Sequence, residues 1–217
     1  MRASTSSLDG ESRWPQGLVA VPERMGTIKD LSRFDAQFFG VPPRQANVMD
    51  PQLRLLLETS YEAIVDAGYD PSTMRGHRVG VFAGCILSET RVALNVDVDE
   101  VDGHTLVDNL SAMLANRVSY AFDFNGPSIT VDTASSSTMT ALNQAVLALR
   151  SGQCTAAIVG GANLILDPVT TLNEVRLGIL SRDGKCKSFD SRGECYRIIL
   201  QDNDFQRPSP ALVVRSP

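Results

Sequence analysis

The chain has 217 residues, 43% of them hydrophobic and 21% charged, which is enough apolar side chain for a sizeable core and too much for disorder throughout. Twenty Lys and Arg against 25 Asp and Glu give a formal charge of -5 and a pI near 5.0, and without a basic run to neutralise a phosphate backbone nucleic acid is not an expected partner. No apolar stretch approaches bilayer length, and Met1 to Ser7 lacks the apolar centre of a secretion signal, so a cytoplasmic chain with no membrane association is expected.

Residues 1–12 are polar and Ser-rich and read as a disordered N-terminus, with an ordered core starting near Asp30. Pro51 to Ala67 reads as a helix. Asp50 can cap it, Pro51 suits its first position, Leu53, Leu56, Leu57, Tyr61, Ala63 and Ile64 form its apolar face, and Gly68 ends it. Arg78 to Gly84, almost wholly apolar, predicts a strand covered on both faces. A further helix is expected over about Val107 to Tyr120, with Leu110, Met113, Leu114, Val118 and Tyr120 facing inward.

The next segment predicts a βαβ unit: strand Ile129 to Val131, turn Asp132 to Ser135, helix Ser136 to about Arg150, stop at Gly152, strand Ala156 to Gly160. Its strands should lie parallel under the helix, with Met139, Leu142, Val146 and Leu149 against the sheet. The second strand is expected to continue through Leu164 to Leu166, and Arg176 to Leu180 has a helical or mixed pattern. Beyond Tyr196 the pattern changes, and Pro208 and Pro210 make the stretch up to Pro217 read as an unpaired, irregular tail over 201–217.

Cys85, Cys154, Cys186 and Cys195 lack C-x-x-C spacing and have only two histidines for company, so neither a zinc site nor a disulfide framework is indicated. They read as reduced, structural thiols. Gly160 and Gly161 invite a nucleotide-binding turn but lack G-x-G-x-x-G, and no G-x-S-x-G elbow surrounds Ser135.

In Val131-Asp132-Thr133-Ala134-Ser135-Ser136-Ser137, Ser135 occupies a strand-to-helix turn, where unpaired first-turn amides and partial positive charge favour a nucleophile. The other reading is that Ser135, Ser136 and Ser137 merely cap the helix. Around this turn the chain resembles the β-ketoacyl synthase (ketosynthase) domain of animal-type fatty acid synthases and polyketide synthases, which reads Asp-Thr-Ala-Cys-Ser-Ser-Ser there. The resemblance extends through Trp14 to Gly17, Asp30 to Gly40, Met49 to Glu58, Ala115 to Tyr120, Gly160 to Asn163, Arg176 to Ser181 and Cys186 to Asp190, over about residues 12–197.

This resemblance implies an α/β thiolase-like fold, represented by its N-terminal half over residues 13–200, with a mixed sheet whose βαβ units are covered by helices. It implies that Ser135 stands where the family keeps its acyl-carrying cysteine. Such synthases take an acyl group from the phosphopantetheine arm of an acyl carrier protein. They join it to the carbanion left when a malonyl thioester loses carbon dioxide, a decarboxylating Claisen condensation in fatty acid biosynthesis, with no cofactor bound directly. An alkyl hydroxyl needs an adjacent base to act as a nucleophile, and neither His77 nor His104 matches a family catalytic motif. The expectation is therefore a chain that condenses nothing alone. The family also places Pro127 to Asp132 near a two-fold contact, implying a homodimer or pairing with a full-length synthase. The alternatives are a non-catalytic dimerisation or regulatory module and a fragment from an incomplete gene model.

Overall fold

The computed structural model describes residues 28, 31–90, 103–180 and 212–215. The expected N-terminal disorder, the Trp14 and Cys186 blocks, Cys195 and residues 201–211 of the tail lie outside these. The chain divides into two compact units, one of Asp30–Asn163 with Pro208–Pro217, the other of Met1–Lys29 with Leu164–Arg207.

The first unit opens with α1 (Pro43–Val48) and α2 (Pro51–Asp66). Asp50 caps α2 as expected: its carboxylate accepts from the Gln52 amide at 2.8 Å, and Pro51 fills a first-turn position that needs no donor. Leu53, Leu56, Leu57 and Ile64 are buried, and Gly68 turns the chain away at φ +81°. The buried Asp50 also accepts from Gln52 Nε2. Asp50→Ala is thus expected to lower unfolding free energy by about 2 kcal/mol, measurable by urea denaturation. A loss indistinguishable from zero would refute the capping role.

After a 3₁₀ turn at Pro71–Met74 comes β1 (Val79–Cys85), buried along its whole length. Val79, Val81, Ala83 and Cys85 join the core cluster with α2, while Phe82 joins a second cluster on the opposite face. The period of two divides one apolar run between two layers.

The expected helix over Val107 to Tyr120 is two helices, α3 (Gly103–Asp108) and α4 (Ala112–Phe122). The break arises because buried Asn109 donates to the carbonyl of Val48 at 2.9 Å, next to Asp108, which accepts from Gln45 at 3.0 Å. Leu114, Ala115, Val118 and Phe122 face the core and Met113 packs at its margin. Leu110 and Tyr120 are exposed, against expectation. Tyr120 lies two residues beyond Val118, about 200° round the helix.

The βαβ unit is present as β2 (Ser128–Val131), α5 (Ser137–Arg150) and β3 (Ala156–Ala162). Its strands are parallel but not adjacent, since β1 lies between them and pairs with both. The sheet-facing stripe of α5 is corrected: Ala141, Ala145, Ala148 and Leu149 are buried, Leu142 and Val146 are half-buried, and Met139 is 68% exposed. The cause lies in the sheet. A Cβ on Gly84 would come within 2.6 Å of the Thr138 amide nitrogen, and one on Gly161 would meet Thr138 Oγ1. The first turn of the helix sits so close to the sheet that there is no room for a side chain on either glycine.

The tail expectation also changes: β4 (Leu212–Arg215) pairs antiparallel with Ala156–Val159, completing a mixed sheet of order β2-β1-β3-β4. The open backbone edge of β3 supplies a partner that tail composition does not reveal. In the second unit, Leu164 to Leu166 is not strand, and α6 (Pro168–Arg176) follows, capped by Asp167, whose carboxylate accepts from Val169 at 2.9 Å. Leu177 to Leu180 is non-helical. Among the described residues no helix is long and apolar enough to cross a membrane.

A candidate functional site at the ends of the parallel strands

Because β1, β2 and β3 run parallel, their C-terminal ends lie along one side of the sheet. Gly84 pairs with Val131 on one side and Gly161 on the other, so the chain leaving β2 enters its turn directly above these glycines and beside the first turn of α5. This is where open α/β sheets place their ligand sites.

Backbone and hydroxyl contacts determine the turn. Asp132 accepts from the Ala134 amide at 3.1 Å, and Ala134 takes the left-handed conformation at φ 55°, a strained choice for a residue with a Cβ. Ser137 Oγ accepts from Thr133 N at 2.9 Å and donates to the Ala134 carbonyl at 2.6 Å. Ser136 Oγ donates to the Thr133 carbonyl at 2.7 Å, and the Thr133 and Thr140 hydroxyls meet at 3.0 Å. Ser135, at the crest, is exposed, and its hydroxyl has no hydrogen-bond partner among the described residues. The capping alternative is corrected in detail: Ser136 occupies the N-cap position without a side-chain cap bond, and Ser137 belongs to the helix itself.

The remaining candidates disperse. His77 precedes β1, so the strand's seven residues separate it from the turn, about 20 Å at the usual rise. His104 is on α3, which packs with α1. Gly161 provides close approach to Thr138, and Gly160 and Gly161 lie within β3 instead of in a nucleotide-binding turn. Cys85 and Cys154 are free and buried. Burial, reinforced by the Asp50 and Asp132 carboxylates, pushes the Cys85 thiol up to about 12, and burial also raises Cys154. Cys85 closes β1 one position beyond the Gly84–Val131 pair, yet it is buried and its raised pKa favours the neutral thiol over the thiolate a nucleophile needs.

That shift has a stability signature. A folded-state pKa above the unfolded value stabilises fully below the unfolded value near 9.0 and loses that contribution as pH rises toward about 12. The urea midpoint is expected to fall over this window more steeply in the native chain than in Cys85→Ala. Parallel curves for the two would count against it.

Site residues missed by sequence reading are Gly84, Thr138 and Thr140, while Thr133 and Ser137 were read as part of the turn without their hydroxyl contacts. A glycine at the end of an otherwise filled strand was the available signal for the first.

The mixed α/β sheet, with an exposed hydroxyl on its strand-to-helix turn, superposes on solved ketosynthase domains, and the fold is thiolase-like. Residues 6–197 match the Beta-ketoacyl synthase, N-terminal domain, and the chain belongs to that family. It is 50% identical over 188 residues to a fatty acid synthase of Anser anser anser, covering 87% of this chain and 53% of that protein. It is 43% identical over 171 residues to the pikromycin polyketide synthase component PikAII of Streptomyces venezuelae, covering 79% of this chain and 5% of the other. The ketosynthase from module 6 of the bacillaene synthase of Bacillus subtilis 168, in a cysteine-to-serine mutant, superposes with a TM-score of 0.73 at 36% identity, covering 80% of this chain and 28% of that one. The chain therefore spans about half of the goose protein and a small part of the polyketide synthase.

Proposed function

We propose that this chain carries the acyl-receiving turn of a fatty acid synthase-type β-ketoacyl synthase, with Ser135 in the position of the acyl-carrying cysteine, and that alone it does not condense acyl and malonyl thioesters. The observation that carries this reading is the exposed Ser135 hydroxyl at the head of α5, with no base partner among the described residues. A hydroxyl so placed has the electrostatic advantage of the helix terminus but, among the described residues, no base bonded to it to take its proton. The partners on this reading are an acyl carrier protein with its phosphopantetheine arm and acyl and malonyl thioesters, in the cytoplasm. The test is to supply acyl- and malonyl-carrier protein and look for a 3-ketoacyl product. None above blank is expected, and product abolished by Ser135→Ala would overturn the inactive assignment.

A second reading, a non-catalytic module that pairs with itself or an intact synthase, is favoured by β2, an edge strand of the described sheet with Ile129 43% exposed. Co-purification with a full-length synthase, lost on substitutions within Pro127 to Asp132, would support it. Retention of binding in those variants would count against it.

A further inference from the structure

Leu212–Arg215 lies beyond the residues 6–197 that carry the family match, yet it occupies the side of β3 away from β1, opposite Ala156–Val159. The strand it covers lies within Cys154-Thr155-Ala156-Ala157-Ile158-Val159-Gly160-Gly161-Ala162, which contains neither a charge nor a proline. As an open edge, such a segment is a template for pairing with another chain. The covering strand has the opposite character: it is four residues long, ends in Arg215, and is flanked by Pro208, Pro210 and Pro217, the devices that blunt an edge. It is also fitted to the fold. Val213, opposite Ile158, is half-buried against the core cluster that holds Ile158, and both α2 and α5 approach the strand.

We infer that Leu212–Arg215 is an edge-capping strand that holds the chain back from self-association along β3. Its displacement exposes that edge to the β3 of a second copy. This is independent of the pairing considered for β2, which is at the other side of the sheet.

The full chain carrying Val213→Pro and Val214→Pro together tests this, because alternate residues of β4 face β3, its one neighbour in the described sheet, and the pair removes a ladder donor in either phase. Amide exchange is expected to accelerate by about tenfold or more at those of Ala157, Ile158 and Val159 whose N–H groups face β4, and to stay slow at those that face β1. Sedimentation velocity is expected to show association that grows with concentration, while circular dichroism keeps the helical content. Association and exchange both equal to the native chain would overturn the inference. A second variant guards against simple misfolding: Ile158→Cys with Val213→Cys places thiols on register partners. Under oxidation it is expected to form an intramolecular disulfide and a species that associates no more than the native chain. Intermolecular linkage as the main product, or association undiminished once the internal link has formed, would overturn it equally.

Discussion

Ser135→Cys is expected to create the most reactive thiol among the described residues. The position is exposed and heads a 14-residue helix, whereas Cys85 is held near a pKa of about 12 inside the sheet. A cysteine at a helix N-terminus commonly titrates near ~7, so near neutral pH its thiolate fraction exceeds that of Cys85 by on the order of 10⁴. Intrinsic nucleophilicity falls with pKa and returns part of this, leaving an alkylation rate on the order of 10²-fold faster. Peptide-resolved mass spectrometry after a short iodoacetamide pulse reads this directly. If the introduced thiol labels no faster than Cys85 and Cys154, the turn does not activate a nucleophile, and the proposed acyl-receiving role loses its physical basis. The substitution leaves the hydroxyl bonds of Thr133, Ser136, Ser137 and Thr140 in place, because Ser135 takes part in none of those contacts.

Gly84→Ala is expected to be the most damaging small substitution near the turn. Its Cβ would lie 2.6 Å from Thr138 N and 2.8 Å from Ser137 C and Thr138 Cα. All three are backbone atoms that cannot swing aside, so the start of α5 must shift. Overpacking of this kind costs about 3 kcal/mol, visible as a lower urea midpoint with unchanged slope. The same shift moves the turn, so in the Ser135→Cys background Gly84→Ala is expected to reduce alkylation as well. Met139→Ala, on the exposed side of the same helix, is the control, expected within about 0.5 kcal/mol of native. Equal effects from the two would mean that α5 does not rest on Gly84.

The Asp-Pro dipeptides show how far local chemistry reaches. Asp50-Pro51, Asp70-Pro71 and Asp167-Pro168 each open a helical segment with the aspartate accepting from the amide two residues on. Only the first is anticipated in the sequence expectations, although the same two residues announce the 3₁₀ turn and α6. The signal is complete within four residues, since cap and φ restriction are both local. Burial of β1 on both faces was likewise legible, because a short strand without polar residues has no side to give to water.

The errors share another cause. Asn109 breaks the long helix by donating to Val48, 61 residues earlier in the chain. Met139 fits the apolar period of α5, but the first turn of the helix is set by two glycines on neighbouring strands, which bring Thr138 against the sheet and leave Met139 exposed. Leu212–Arg215 becomes a strand because β3 has an open edge, whatever prolines surround it. At the site, a serine at a strand-helix turn was readable. That its hydroxyl has no partner among the described residues while its neighbours consume theirs was not.

Caps, turns, the parallel βαβ unit and the position of Ser135 were set by the amino-acid order, since each depends on contacts spanning a few residues or on a period that a short window contains. Which face of α5 is buried, where the second helical stretch breaks, that the tail becomes β4, and that Cys85 is inert beside the turn were settled by tertiary structure. Each of these depends on excluded volume, an open ladder or a desolvated charge contributed by residues far away in the chain, and these exist only once the sheet has formed.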